Sequence, residues 1–189
     1  MATSYPLSGV QYSGIWTMQQ VDAAIAAGTW TGLPRLFTWG RSNFGQLGLG
    51  NLTYYSSPKQ VGSLTDWKQV VLSIASAAAV KKDGTLWTWG NANEGQLGNN
   101  QILPRSSPVQ VGTDTNWSTL ECGDTFILAI KTDGTLWGWG NNTYGVLGQN
   151  DRINRSSPVQ VGALTNWSKI ATRSEEHTSE LQSRGLISY

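Results

Sequence analysis

The sequence is poor in most of what metal sites, disulfide scaffolds and membrane segments are built from. Its 189 residues include one cysteine, Cys122, and one histidine, His177. A single Cys excludes an internal disulfide, and a single His leaves no His/Cys cluster for a metal. Charge of one sign is also lacking: 13 basic residues face 12 acidic ones, and no basic run exceeds the pair Lys81-Lys82. Nucleic acid and anionic membranes need a concentrated basic footprint, so neither is an expected partner. No apolar run is long enough to cross a bilayer, and the N-terminus lacks the basic-then-apolar layout of a signal peptide. A soluble chain is expected, its compartment unspecified.

What is abundant is glycine, at 22, and tryptophan, at 10. They recur in register. Trp39, Trp89 and Trp139 are fifty residues apart, as are Pro58, Pro108 and Pro158, and Trp67, Trp117 and Trp167. A strict period of about 50 residues marks a solenoid or propeller, whose units bury their apolar faces only by stacking.

In chain order, residues 1–16 read as a leader. Thr17 and Gln20 have capping-box spacing ahead of Met18, Val21 and Ile25, with Gly28 as a stop, which predicts a short amphipathic α-helix over 18–27. Residues 29–34 connect it to the repeats, so 1–34 form a leader and linker. Leu36 to Gly40 is the closing strand of an incomplete first unit, followed by a glycine-rich loop over 41–57. Strands are then predicted at 58–62, 67–74, 77–82 and 85–90, with Asp83-Gly84 as a tight hairpin turn needing positive φ at both residues. Pro58 is tolerated at a strand start because its missing N–H is not needed there. The fold class is therefore all-β: a partial β-propeller of four-stranded antiparallel blades after one short α-helix. Whole blades are expected at 58–90 and 108–140, with partial ones on either side, the repeats filling 35–172.

After Thr172 the register breaks. Residues 173–183 resemble the translated read-through of a sequencing-library adapter, and Ile187-Ser188-Tyr189 fits its continuation. Residues 173–189 are accordingly expected to be an artefact outside the fold.

Within a strand, Trp87 and Trp89 point to one side and Leu86 and Thr88 to the other. Gly45, Gly95 and Gly145, with Gly48, Gly98 and Gly148, bracket Leu47, Leu97 and Leu147, a spacing suited to a sharp loop that plugs Leu into the core. Such a loop does not read as a phosphate cradle, since no Lys-Ser/Thr and no helix start follows it.

The run Trp-Gly-x-x-Asn-x-Gly-Gln-Leu-Gly at 89–98, its copy at 39–48, the Ser-Ser-Pro that follows and Asp-Gly-Thr-Leu-Trp-x-Trp-Gly together resemble the repeat of the regulator-of-chromosome-condensation family. The resemblance covers about residues 36–172. It implies a propeller of about seven blades, closed by pairing N- and C-terminal strands in one blade. Leu36 to Gly40 would then be the lone N-terminal strand and the chain the front third of a longer protein, with its remaining blades as partners. Chromatin-associated members act as guanine-nucleotide exchange factors on a small GTPase. Here the family's Gly-x-x-His-Ser/Thr stretch reads Ala75-Ser76-Ala77-Ala78 and Gly123-Asp124-Thr125-Phe126, without His, and the wedge insertion and basic tail are not recognisable.

No nucleophile, base and oxyanion donor can be assembled: Asp83 and Asp133 suit turn geometry, and Cys122 reads as a small buried residue. The chain is expected not to be an enzyme, with no catalytic residue, cofactor or metal. Positions that vary between repeats locate a working surface. Phe44, Glu94 and Tyr144 share one register, and Leu52 to Tyr55, Ile102 to Arg105 and Ile153 to Arg155 another. The candidate partner-binding residues are Phe44, Tyr54, Tyr55, Glu94, Ile102, Arg105, Tyr144, Arg152 and Arg155. The expected role is a non-catalytic binding module for a protein or glycan surface, in a phage or bacterial surface protein. Nucleotide exchange and lectin-like sugar binding are the alternatives.

Overall fold

The computed structural model describes residues 35–63 and 66–172. The predicted helix at 18–27 and the segment 173–189 lie outside the described residues. Ten strands follow one another: β1 (Phe37–Gly40), β2 (Tyr55–Gln60), β3 (Trp67–Leu72), β4 (Ser76–Lys81), β5 (Leu86–Gly90), β6 (Arg105–Gln110), β7 (Trp117–Cys122), β8 (Phe126–Lys131), β9 (Leu136–Gly140) and β10 (Arg155–Gln160). They form a two-stranded sheet, β1-β2, and two four-stranded antiparallel sheets, β3-β4-β5-β6 and β7-β8-β9-β10. The described residues are all-β, a partial propeller.

The strands fall close to where the sequence puts them, but the blades are shifted by one strand. The expected blades at 58–90 and 108–140 are in fact 67–110 and 117–160, because each Pro-bearing strand folds back on the preceding Trp-x-Trp-Gly strand. Trp87 faces Gln110 and Gly90 faces Arg105, with a bulge between that spans Pro108. The long glycine loop is thus a hairpin inside one sheet, and the short link 111–116 crosses between sheets. Pro108 and Pro158 lie on outermost strands, where a missing N–H breaks no ladder.

Two further expectations are corrected. Among the described residues only Gly84 of the Asp83-Gly84 pair has positive φ, at 80°. Gly84 N–H bonds Lys81 O and Lys81 N–H bonds Thr85 O, both at 3.0 Å, so the loop has three residues ending in a left-handed glycine, and Asp83 need not be left-handed. A Cβ on Gly84 would stand 1.9 Å from Thr115 O of the crossing link. The predicted continuation of a strand from Trp167 to Thr172 forms no ladder, because no partner strand is present among the described residues. It still runs beside β7: Trp167 N–H bonds Gly134 O at 3.1 Å, and Thr172 Oγ1 donates to Cys122 O at 2.6 Å.

The core lies between the sheets. Ala77 and Ala79 of β4 pair with Trp89 and Trp87, so small residues make room for indoles on one face. On the other face Ala78, Val80 and Leu86 meet Trp117, Leu120, Ile127 and Trp139 of the next sheet. Trp89 and Trp139 are both fully buried. Burying an indole contributes about 4–6 kcal/mol gross, an upper bound for a compact unfolded chain.

Candidate interaction surface

The loops 41–54, 91–104 and 141–154 are equivalent hairpin connections, and the β3–β4 turn lies at the same end as the second, since Asn91 N–H bonds Ala75 O at 2.8 Å. Each loop is rigid from within. Gly95 N–H bonds Ala92 O and Gly98 N–H bonds Gly95 O, at 2.8 and 2.9 Å, giving two successive turns. Thr88 Oγ1 donates to Leu97 O at 2.7 Å and Thr38 Oγ1 to Leu47 O at 2.7 Å, which fixes the buried leucines. Asn100 N–H bonds Ser156 O at 2.8 Å and Gly50 N–H bonds Ser106 O at 2.7 Å, tying the first two loops to the next sheet.

Against this scaffold the nine candidate residues divide. Phe44, Tyr54, Ile102, Tyr144 and Arg152 are exposed, Tyr144 at 72% and Tyr54 at 60%. Glu94 holds loops together instead: its carboxylate accepts from Asn154 Nδ2 at 2.7 Å and Asn141 Nδ2 at 3.2 Å. Arg155 pairs with Asp151 at 2.5 Å and donates to Ile153 O at 3.1 Å. Arg105 donates to Gln101, and the Tyr55 hydroxyl accepts from Asn51 Nδ2 at 3.2 Å. These four brace the loops, and so does the hydroxyl of the exposed Tyr54, which donates to Asn43 Oδ1 and leaves its ring open. Leu52, Leu103 and Ile153, which the variable stretches contain but which were not singled out, are as exposed as Ile102. Ile74 and Leu72 are exposed too. The sequence reading ran the β3 strand through Ile74, but the chain turns at Ser73, whose N–H bonds Ser76 O at 2.9 Å.

The titratable groups are structural. Thr85 Oγ1 and N–H both bond Asp83, which holds its carboxyl below the usual 3.8, and Thr135 does the same for Asp133. Burial, then the charges of Glu121 and Asp124, push the Cys122 thiol up to about 11. Its Sγ donates to Leu72 O at 2.9 Å, so it remains a protonated thiol. Composition gave no hint of the Lys pockets. Lys131 is buried with Nζ 4.1 Å from the ring centre of Trp137 and 4.6 Å from that of Trp117, and 2.6 Å from Asp114. Lys81 repeats this with Trp87 and Trp67. Among the described residues no three His, Cys, Asp or Glu side chains converge as a metal site, and no helix is long and apolar enough to cross a membrane.

The profile described as the regulator of chromosome condensation (RCC1) repeat matches residues 35–79, 83–130 and 133–174, and a second profile of that description matches 117–146. The chain belongs to the RCC1 repeat family. Solved structures share its fold. Human WBSCR16 is 24% identical with a TM-score of 0.59, over 69% of this chain and 34% of that one. Prp20p of Saccharomyces cerevisiae, described with its binding to Gsp1p and histones, is 17% identical with a TM-score of 0.60, over 68% of this chain and 34% of that one. Yeast RCC1 (Prp20) bound to Kap60 is 15% identical with a TM-score of 0.57, over 86% and 42%. No curated protein matches the chain. It spans about a third to two-fifths of the length of these solved relatives.

Proposed function

We propose that this RCC1 repeat chain is a non-catalytic binding module that presents its three equivalent hairpin loops to a protein partner. The observation that carries this reading is the split within each loop. The shared positions, Gly, Leu and Asn, are spent on internal bonds, while Leu52, Tyr54, Ile102, Leu103, Tyr144 and Ile153 stand out of a braced backbone. Rigid loops bind without a large ordering cost, and exposed aromatic and aliphatic groups supply the apolar contact area. The chain's relatives include proteins with protein partners, which supports a protein rather than another ligand class. The test combines Tyr54→Ala, Ile102→Ala and Tyr144→Ala in one variant and measures its affinity for a purified partner. A variant with an unchanged melting temperature should bind at least about tenfold more weakly, a loss of about 1.4 kcal/mol. Equal binding would remove the loops from the interface.

Nucleotide exchange on a small GTPase is the second reading, favoured by the fold shared with Prp20p. Acceleration of labelled guanine-nucleotide release from a purified small GTPase tests it, and an unchanged release rate rejects it. Sugar binding would use the same rings of Tyr54 and Tyr144, and a glycan array separates it from protein binding. A place in a phage tail or bacterial surface structure rests on the leader at 1–34 and is tested by the genes that flank the unbroken reading frame.

A further inference from the structure

The three loops carry an uneven set of side chains. Among the described residues Arg41, Arg105, Arg152 and Arg155 lie in or directly after them, as do Tyr54, Tyr55 and Tyr144, whereas no lysine does. Arginine and tyrosine are enriched at protein interfaces and lysine is depleted there. The two acidic groups of the loops are already engaged, Glu94 by Asn141 and Asn154, and Asp151 by Arg155. The middle loop, 91–104, has a described neighbour on each side: Gly50 N–H bonds Ser106 O, and Asn100 N–H bonds Ser156 O.

One pairing in the middle loop differs from its copy. Arg105 and Arg155 occupy the same repeat position, each four residues after the side chain that holds it. Arg155 Nη2 stands 2.5 Å from Asp151 Oδ2, an ion pair. Where the third loop has Asp151 the middle loop has Gln101, and Arg105 Nη2 donates to its neutral Oε1. No carboxylate among the described residues pairs with Arg105, and its Nε is buried without an acceptor. A guanidinium presents five N–H donors in a rigid fork that matches a carboxylate. At Arg105 a neutral amide occupies part of that fork, and the charge is left uncompensated. Ile102 and Leu103, 64% and 63% exposed, stand beside it in the chain.

We propose that Arg105 anchors an aspartate or glutamate side chain of the protein partner, with Ile102 and Leu103 taking an apolar residue next to that carboxylate. The segment recognised is therefore acidic, with aliphatic or aromatic flanks. This rests on the reading of the loops as a protein-binding surface. The incoming carboxylate supplies from outside what Asp151 supplies to Arg155 from within, and a charge-assisted pair of this kind fixes direction as well as adding attraction. Gln101 holds the guanidinium in place beforehand, so little side-chain freedom is lost on binding. One arginine among aliphatic side chains suits a single carboxylate rather than a run of phosphates, whose binding draws on several cations.

An array of short synthetic peptides tests this, each with one Asp or Glu flanked by Leu, Ile or Phe and each printed beside its Asn or Gln counterpart. The parent chain is expected to bind acidic members at least about tenfold more tightly than their amide counterparts. Arg105→Gln removes the fork, and Gln101→Asp fills it from within, as Asp151 does in the third loop. Both should erase the preference. Gln101→Asp should do so with an unchanged or raised melting temperature, since position 101 is exposed. A preference that survives either variant, or a parent chain that binds acidic and amide peptides alike, overturns the proposal while leaving the loops as a binding surface. Peptide binding that the combined Tyr54→Ala, Ile102→Ala and Tyr144→Ala variant leaves unchanged removes the loops themselves. Binding to no peptide overturns the proposal, and so does an oligonucleotide bound more tightly than the acidic peptides.

Discussion

Trp139 and Gln96 belong to different sheets, and the indole N–H of one bonds the backbone carbonyl of the other at 3.0 Å. A second bond of the same kind joins Trp89 to Gln46. The tryptophan does two jobs at once: its ring fills the joint, and its nitrogen satisfies a carbonyl that the joint removes from water. A carbonyl left unpaired in such a place costs about 1–3 kcal/mol.

Trp139→Phe keeps an aromatic ring but drops the N–H and part of the volume. It should destabilise the chain by about 2–4 kcal/mol, combining the orphaned Gln96 carbonyl with a residual cavity. Denaturant melts followed by tryptophan fluorescence and circular dichroism measure it. A loss below about 1 kcal/mol would mean that the bond adds nothing to the joint.

Gly98→Ala and Gly112→Ala separate backbone strain from packing. Both positions are left-handed, at φ 66° and 61°, but a Cβ at 98 strikes Trp139 Nε1 at 2.8 Å while one at 112 meets nothing within 4 Å. Gly112→Ala should cost the left-handed penalty of about 1–2 kcal/mol. Gly98→Ala should cost about 1–3 kcal/mol more, from the overpacked indole. Equal losses would place the strain wholly in the backbone.

Lys131→Met preserves the apolar stem and removes the charge between Trp117 and Trp137. The Asp114 partner is about half exposed, at 54%, so the ion pair is screened and the ring contacts dominate. The expected loss is about 1–2 kcal/mol. It should persist in high salt, since a desolvated cation–π contact is little screened, whereas a salt-sensitive loss would assign the effect to Asp114.

Asp83 and Asp133 set an acid limit. Their folded pKa values lie below the ordinary 3.8, so the carboxylates favour the folded state above the unfolded pKa. That stability is lost as pH falls through the folded values. In the double variant Asp83→Asn with Asp133→Asn, the melting temperature should fall less steeply with pH below 3.8 than in the parent chain. Parallel profiles would show that neither carboxylate is linked to folding.

Cys122 should react slowly while the chain is folded. Raising the thiol from 9.0 to about 11 lowers the thiolate fraction at neutral pH about a hundredfold. Alkylation by iodoacetamide at pH 7.5–8, about neutral, should therefore be slower by that factor or more than in denaturant, where the thiol is released from burial and from Leu72 O. Similar rates in both states would contradict the shielding of this half-buried thiol.

The strand positions were legible because period and chemistry coincide: Trp87 and Trp89 share a face, and both reach Trp67, at 6.4 and 6.0 Å between ring centres. The glycine turns around Leu97 were legible for the same reason. The division of the loop residues was not. Glu94 and Tyr144 occupy the same place in the repeat, yet Glu94 is bound by two asparagine side chains of the next loop and Tyr144 is free. A variable position looks the same in sequence whether it greets a partner or braces a neighbour.

Sequence alone determined the repeat, its strands and the glycines that turn between them, because these depend on spacing and on local backbone geometry. Tertiary structure decided which strands share a sheet, since Trp87 could pair with Gln110 only once the loop between them had folded back. It also decided that Lys81 and Lys131 lie between indoles. Those outcomes depend on what the neighbouring sheet offers, and hydrophobic burial acts on surfaces brought together from fifty residues apart.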